Sequence, residues 1–151
     1  MAKKQDEIVW LNNGWYHASI GFCPTKDGFR RFRKSLGIKR GEGMDFYPKG
    51  NQACTSNMKC RKTGAPFIIV TASDEIKETE GPLDIAGILA HEAVHVWQFI
   101  KAHIGEESPG MEQEAYAVQG ITLQLFEAFE KTRGTLFLKK VGPQTDELRA
   151  K

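Results

Sequence analysis

Residues 85–100 read IAGILAHEAVHVWQFI, and this stretch decides how the rest of the chain has to fold. Nearly every position is apolar, which predicts a helix buried in a core rather than one lying on a surface. Its ionisable exceptions, His91, Glu92 and His95, form the pattern H-E-x-x-H. Two histidines and a glutamate inside a buried helix need compensation, because an unpaired buried polar group is costly. A bound metal ion would supply it.

The spacing of these three residues predicts a particular chemistry. Residues four apart lie on one face of a helix, so the imidazoles of His91 and His95 can converge on one ion. Neutral imidazole is a good zinc ligand, and Glu92 can take a proton from a water molecule that the metal activates. The pattern therefore predicts a zinc site with Glu92 as general base. The alternative is two core histidines with ordinary hydrogen-bond partners that fall at this spacing by chance.

Composition predicts a single domain, residues 1–151, with 40% hydrophobic and 26% charged residues. Residues 1–7 have no apolar segment behind their lysines, so we expect no secretory signal. No apolar run approaches the ~18 residues of a membrane span, so we expect no membrane partner. Cys23, Cys54 and Cys60 make an odd number, which predicts reduced thiols and a cytoplasmic setting.

Charge is spread unevenly along the chain. Residues 1–62 hold 13 Lys and Arg against 5 Asp and Glu, a net +8, whereas residues 63–151 hold 8 against 14, a net −6. The densest basic segment, 26–40, has apolar residues at helical spacing, which predicts an amphipathic helix over 25–36 that ends at Gly37. Its basic face could bind nucleic acid or another anionic partner. The alternative is a solvated face that balances the acidic half.

The N-terminal third predicts strands and a loop. Residues 8–11 and 15–22 have strand-like patterns, and Asn-Asn-Gly at 12–14 between them predicts a hairpin turn. Residues 41–62 are rich in Gly, Pro, Asn and Lys, which predicts a loop with a short strand at 45–47.

The remainder predicts two further strands and two long helices, which makes the fold class α+β. The β-branched run at 66–72 is the best strand of the chain. The motif helix should run over about 82–103, and a second helix over about 109–133 should begin at a Ser-Pro pair that supplies its N-cap and first-turn proline. A short strand at 135–138 and a frayed tail at 142–151 complete the prediction.

Two histidines do not complete a catalytic zinc site, which typically has three protein ligands and an open position. The second helix offers Glu112 and Glu114. Glu114 lies on the apolar stripe of Val118 and Ile121, which must face the core. Glu112 is rotated by about 200° from Glu114, so both cannot point at one ion. Helical phase favours Glu114 as the third ligand.

The sequence HEAVH, followed on the next helix by EAYA, resembles the gluzincin branch of the zincin metallopeptidases. The 18 residues between His95 and Glu114 match the H-E-x-x-H-x18-E spacing of gluzincin aminopeptidases. Over residues 64–133 the chain looks like the minimal gluzincins and, less closely, like small H-E-x-x-H proteins of tailed-phage genomes. The resemblance implies zinc ligands His91, His95 and Glu114, with Glu92 as general base. It also implies a small sheet packed on an active-site helix and a glutamate-bearing helix.

Two details of the resemblance leave alternatives open. Some gluzincins carry E-x-x-A-D with the first Glu as ligand, and EQEAY partly fits, which would make Glu112 the ligand. Gluzincins usually add a Tyr, His or Arg that holds the oxyanion. Tyr116, Tyr47 and His17 could do so, and nothing in the sequence ranks them. His103, at the end of the motif helix, is predicted to be a C-terminal cap residue.

The sequence therefore predicts a zinc metallopeptidase that acts on a peptide or protein substrate. The alternative is a non-enzymatic protein on a zincin scaffold, whose basic N-terminal half binds nucleic acid or an anionic protein. Zincins commonly bind extended peptide by strand addition at a sheet edge. We nominate 66–72 as that edge, because it is the only long β-branched strand before the motif helix. Its first residue, Pro66, fits this role, since proline is confined to edges, strand starts and bulges. If this strand is instead central, residues 41–62 must bound the cleft.

Overall fold

The computed structural model of the chain describes residues 7–12, 16–43 and 46–137. These residues form an α+β fold with one four-stranded mixed sheet and four helices. In chain order the elements are β1 (Val9–Trp10), β2 (Ser19–Cys23), α1 (Lys26–Ser35), β3 (Ala53–Lys59), β4 (Pro66–Ala72), α2 (Ile76–Thr79), α3 (Pro82–Ile104) and α4 (Met111–Arg133).

The strand order β1-β2-β4-β3 puts β4 inside the sheet. It pairs in parallel with β2, where Ile20 opposes Ile68, and antiparallel with β3, where Asn57 opposes the same residue. The prediction that 66–72 forms an edge is therefore wrong. Ile68, Ile69 and Val70 are all buried, so the strand is covered on both faces, as its unbroken apolar run allows.

Strand β3 is the largest departure from the sequence prediction, since 41–62 was expected to be a loop. Its sequence, ACTSNMK, has few strong strand formers, and its order comes from seven consecutive pairings with β4. The short strand expected at 45–47 is absent at Phe46 and Tyr47, and residue 45 lies outside the described part. Among the described residues β3 has a neighbouring strand on one side only, so it is an edge of the sheet.

Side chains alternate across the sheet and separate the helices into two layers. Ile20, Phe22, Ile68 and Val70 pack in the core that α3 and α4 cover. On the opposite face of the sheet, Cys23 of β2 and Ile69 of β4 form a second cluster. They pack there with Phe29 of α1 and with Phe46, which precedes β3. The protein therefore has three layers: α1 on one face of the sheet, and α3 with α4 on the other.

The helix limits follow local chemistry. The Thr25 hydroxyl accepts a hydrogen bond from the Gly28 amide at 3.1 Å and caps α1, and Gly37 ends it at φ 79°. Helix α3 starts at Pro82 and ends before Gly105, whose φ of 71° is left-handed. Both helices were predicted correctly to within a residue or two. The predicted Ser-Pro start of α4 is wrong, because its N-cap is Gly110.

Several smaller predictions also have an outcome. Antiparallel pairing of β1 with β2 confirms the hairpin, but Trp10 pairs with Gly21 and β2 begins only at Ser19, so the connection is longer than the turn predicted at 12–14. Residues 13–15 lie outside the described part. Residues 135–137 are not a strand, and 138 and the tail at 142–151 lie outside the description. No helix in the described ranges is long and apolar enough to cross a membrane.

Candidate metal centre

Helix α3 carries the candidate site on a face that is open to solvent. Leu83 is 78% exposed and Val94 40% exposed, and His91 is exposed between them. The prediction that this helix is buried all round is therefore wrong. The sheet covers one side of α3 and α4 covers a second, and this third side is left open. The buried side chains of the helix, such as Leu89 and Val96, point the other way.

The structure brings His91 and His95 together as their spacing predicts. Their Nε2 atoms are 3.0 Å apart, and the two rings meet edge to face at 83°. Two imidazole nitrogens bound tetrahedrally to one zinc ion at ~2.05 Å stand about 3.3 Å apart. The two Nε2 atoms thus lie within a few tenths of an ångström of the separation that a shared zinc ion requires, and the pair fits the metal.

Gln98 orients one of the two rings. Its Oε1 lies 3.0 Å from His95 Nδ1, one turn further along the exposed face of α3. If Nδ1 carries the proton, it donates to this oxygen and the lone pair stays on Nε2, the atom that faces His91. Metal-binding histidines commonly have such a partner at their second nitrogen. The position of Gln98, three residues after His95 on the same helix face, could have indicated this hydrogen bond from the sequence.

Glu92 points away from solvent and toward the sheet. It is 5% exposed, and its Oε2 accepts a hydrogen bond of 2.5 Å from the Thr55 hydroxyl of β3. The same hydroxyl lies 3.4 Å from the Glu92 carbonyl oxygen. Glu92 therefore joins α3 to the edge strand, next to the histidine pair in the chain. Sequence reasoning missed Thr55, because it lies in a segment that was expected to be a loop.

Glu114 faces α3, as its helical phase predicts, while Glu112 is exposed. The Glu114 carboxylate accepts hydrogen bonds from Trp97 Nε1 at 3.0 Å and from Lys101 Nζ at 3.2 Å. Trp97 comes two residues after His95, which is about 200° around the helix. The structure thus does not bring Glu114 to the histidine pair. In the described ranges no group of three or more His, Cys, Asp or Glu is placed to hold a metal ion.

The remaining predicted residues are dispersed. Tyr116 is 69% exposed on α4, His17 is exposed before β2, and Tyr47 packs on the α1 face of the sheet. The contacts of the histidine pair in the described residues involve Gln98 and the two rings themselves, so the oxyanion role stays unassigned. His103 Nε2 lies 3.0 Å from Asn57 Oδ1, so the last turn of α3 is tied to β3 by a side chain that was expected to be a helix cap.

The three cysteines are free thiols. Burial raises the pKa of Cys54, on β3; a hydrogen bond with Ser56 opposes this change, and the nearby Glu92 charge adds to it. Cys60 differs, because hydrogen bonds with the Thr63 side chain and backbone lower its pKa.

Comparison of the chain with protein-family models, with curated proteins and with solved structures gives no match.

Proposed function

We propose that this protein is a zinc-dependent metallopeptidase of the gluzincin type. The observation that carries the proposal is the convergence of His91 Nε2 and His95 Nε2 at 3.0 Å on an open helix face. The packing of α3 and α4 on one face of a small mixed sheet agrees with what the gluzincin resemblance implies. The three free thiols fit a reducing, cytoplasmic location, which is part of the proposal.

Each residue of the motif has a role in this proposal. His91 and His95 hold the zinc ion, which when bound activates a water molecule and polarises the scissile carbonyl. Glu92 takes the proton from the attacking water and passes it to the leaving amine. The hydrogen bond from Thr55 holds Glu92 Oε2, and Oε1 is the atom that would receive the proton.

Glu114 is the proposed third ligand. To bind the metal it has to give up the two hydrogen bonds that its carboxylate accepts in this structure. Its carboxylate has to exchange the Trp97 and Lys101 donors for the metal. The lost ion pair costs little by itself, because the Glu114 side chain is 44% exposed. Losing the bond from the buried Trp97 indole costs more, since a buried donor would be left without a partner. Glu112 remains the alternative ligand.

Strand β3 is the proposed substrate-binding edge, in place of β4. A sheet edge offers backbone donors and acceptors to an added peptide strand. The Thr55 hydrogen bond sets the Glu92 carboxylate against β3, so a peptide lying along that strand would pass close to the general base. This agrees with the expectation that residues 41–62 bound the cleft when 66–72 is central.

The test of the function is a peptide-library cleavage assay on the zinc-loaded protein. We expect hydrolysis by the wild-type chain, loss of hydrolysis after chelation, and recovery when zinc is returned. Glu92→Gln should abolish hydrolysis, whereas Glu78→Gln, a control on an exposed residue of α2, should not. Hydrolysis that persists in the Glu92→Gln variant would refute the assigned mechanism.

A further inference from the structure

A cavity of about 690 Å³ lies beside α1, on the face of the sheet opposite α3. This volume is within the range of about 300–1,000 Å³ that is typical of ligand pockets. Among the described residues that line it, none is Asp or Glu. Its basic lining residues are Lys26, Arg30, Arg33, Lys34, Lys39 and Arg40.

Four of these cations come from a single stripe of α1. Lys26, Arg30, Arg33 and Lys34 recur at i, i+4, i+7 and i+8, so they share one face of the helix. Like charges at i, i+4 slightly destabilise an isolated helix, and a bound anion would offset this repulsion. Arg30 has a partner in Asp27 at 2.8 Å, but this pair is exposed and contributes little.

The cavity wall is aromatic where these cations meet it. Phe29 and Phe46 line it and are almost fully buried, with ring centres 5.7 Å apart. The Arg33 guanidinium lies 5.7 Å from the centre of the Phe29 ring, within reach of a cation–π interaction. Because both rings are buried, they offer no free face on which a nucleobase could stack. Recognition has to come from the charged groups above them.

We propose that this cavity binds a ligand through a cluster of phosphate groups. Phosphate oxygens accept charge-assisted hydrogen bonds from Arg and Lys, and several phosphates close together match several cations around one concave surface. The proposal does not depend on the metallopeptidase assignment, because the cavity and the histidine pair lie on opposite faces of the sheet.

The experiment is calorimetric titration of the full-length protein with inorganic tripolyphosphate at several salt concentrations. We expect binding that weakens steeply as salt rises. Arg30→Gln/Lys34→Gln should weaken it by about tenfold or more, since each position supplies a charge-assisted hydrogen bond. Both side chains are exposed, so the variant should fold normally. The control Lys62→Gln/Lys131→Gln removes equal charge outside the cavity and should bind like the wild type.

Two further probes identify the source of the phosphates and exclude a general charge effect. An oligothymidylate that binds more tightly than tripolyphosphate, with the same loss in Arg30→Gln/Lys34→Gln, would assign the phosphates to nucleic acid. The reverse order would assign them to a small phosphorylated molecule. Three results would overturn the proposal: an oligoglutamate that binds as tightly as tripolyphosphate, equal losses in the two double variants, or no binding of either phosphate probe at low salt.

Discussion

Replacing Thr55 by Val tests how Glu92, the proposed general base, is held. The substitution removes the hydroxyl that donates to Glu92 Oε2 at 2.5 Å. Thr55 is 8% exposed and Glu92 5%, so water cannot readily take the place of that hydroxyl. A hydrogen bond to a charged group contributes about 1.5–3 kcal/mol. We therefore expect a loss of about 2 kcal/mol in the free energy of unfolding, which is about 4–8 °C in Tm for a domain of this size.

Guanidinium unfolding measures this loss as a change in midpoint at constant m-value. Thr135→Val, at an exposed position, is the control and should leave the stability unchanged. In a Glu92→Leu background the carboxylate is gone, so Thr55→Val should cost much less, and a double-mutant cycle reports the difference. A cost for Thr55→Val within about 0.5 kcal/mol of zero, or an equal cost in both backgrounds, would refute the reasoning.

Two further predictions concern the proposed third ligand and the thiols. Glu114→Ala should weaken zinc binding by at least about tenfold and lower stability by about 1–2 kcal/mol, while Glu112→Ala should change neither; a chelator competition and an unfolding curve measure the two effects. Zinc lost only with Glu112 would show that the alternative ligand is the right one. Cys60 should react with iodoacetamide faster than the buried Cys54 near neutral pH, because its lowered pKa leaves more thiolate, and Thr63→Val should slow it. Equal rates in a mass-spectrometric time course would contradict this.

The parts of the fold with a strong local signal were predictable. Helix α3 has an apolar pattern, a first-turn proline and a glycine after its end, and α1 has a threonine cap and a glycine stop. Strand β3 was not predictable, because its order comes from pairing with β4 rather than from its own residues. The position of β4 inside the sheet could not be predicted from its own residues either, because an apolar run fits both a central and an edge strand.

In the candidate site, contacts within one helix were predictable and contacts between separate elements were not. The His91–His95 contact and the Gln98 partner follow from spacing on one helix, which sequence alone determines. The Thr55 contact with Glu92 and the Lys101 contact with Glu114 depend on how separate elements pack. Helical phase placed Glu114 toward α3 correctly. It could not determine which residue of α3 the carboxylate would meet.

Zinc content and zinc affinity of the purified chain test the central claim most directly. We expect about one zinc ion per chain, because the two converging imidazoles and the proposed third ligand, Glu114, would form a single site. His91→Ala and His95→Ala should each abolish tight binding, while Glu92→Gln and the control His17→Ala should retain the metal. A chain that keeps its zinc with both His91 and His95 replaced by Ala would contradict the account.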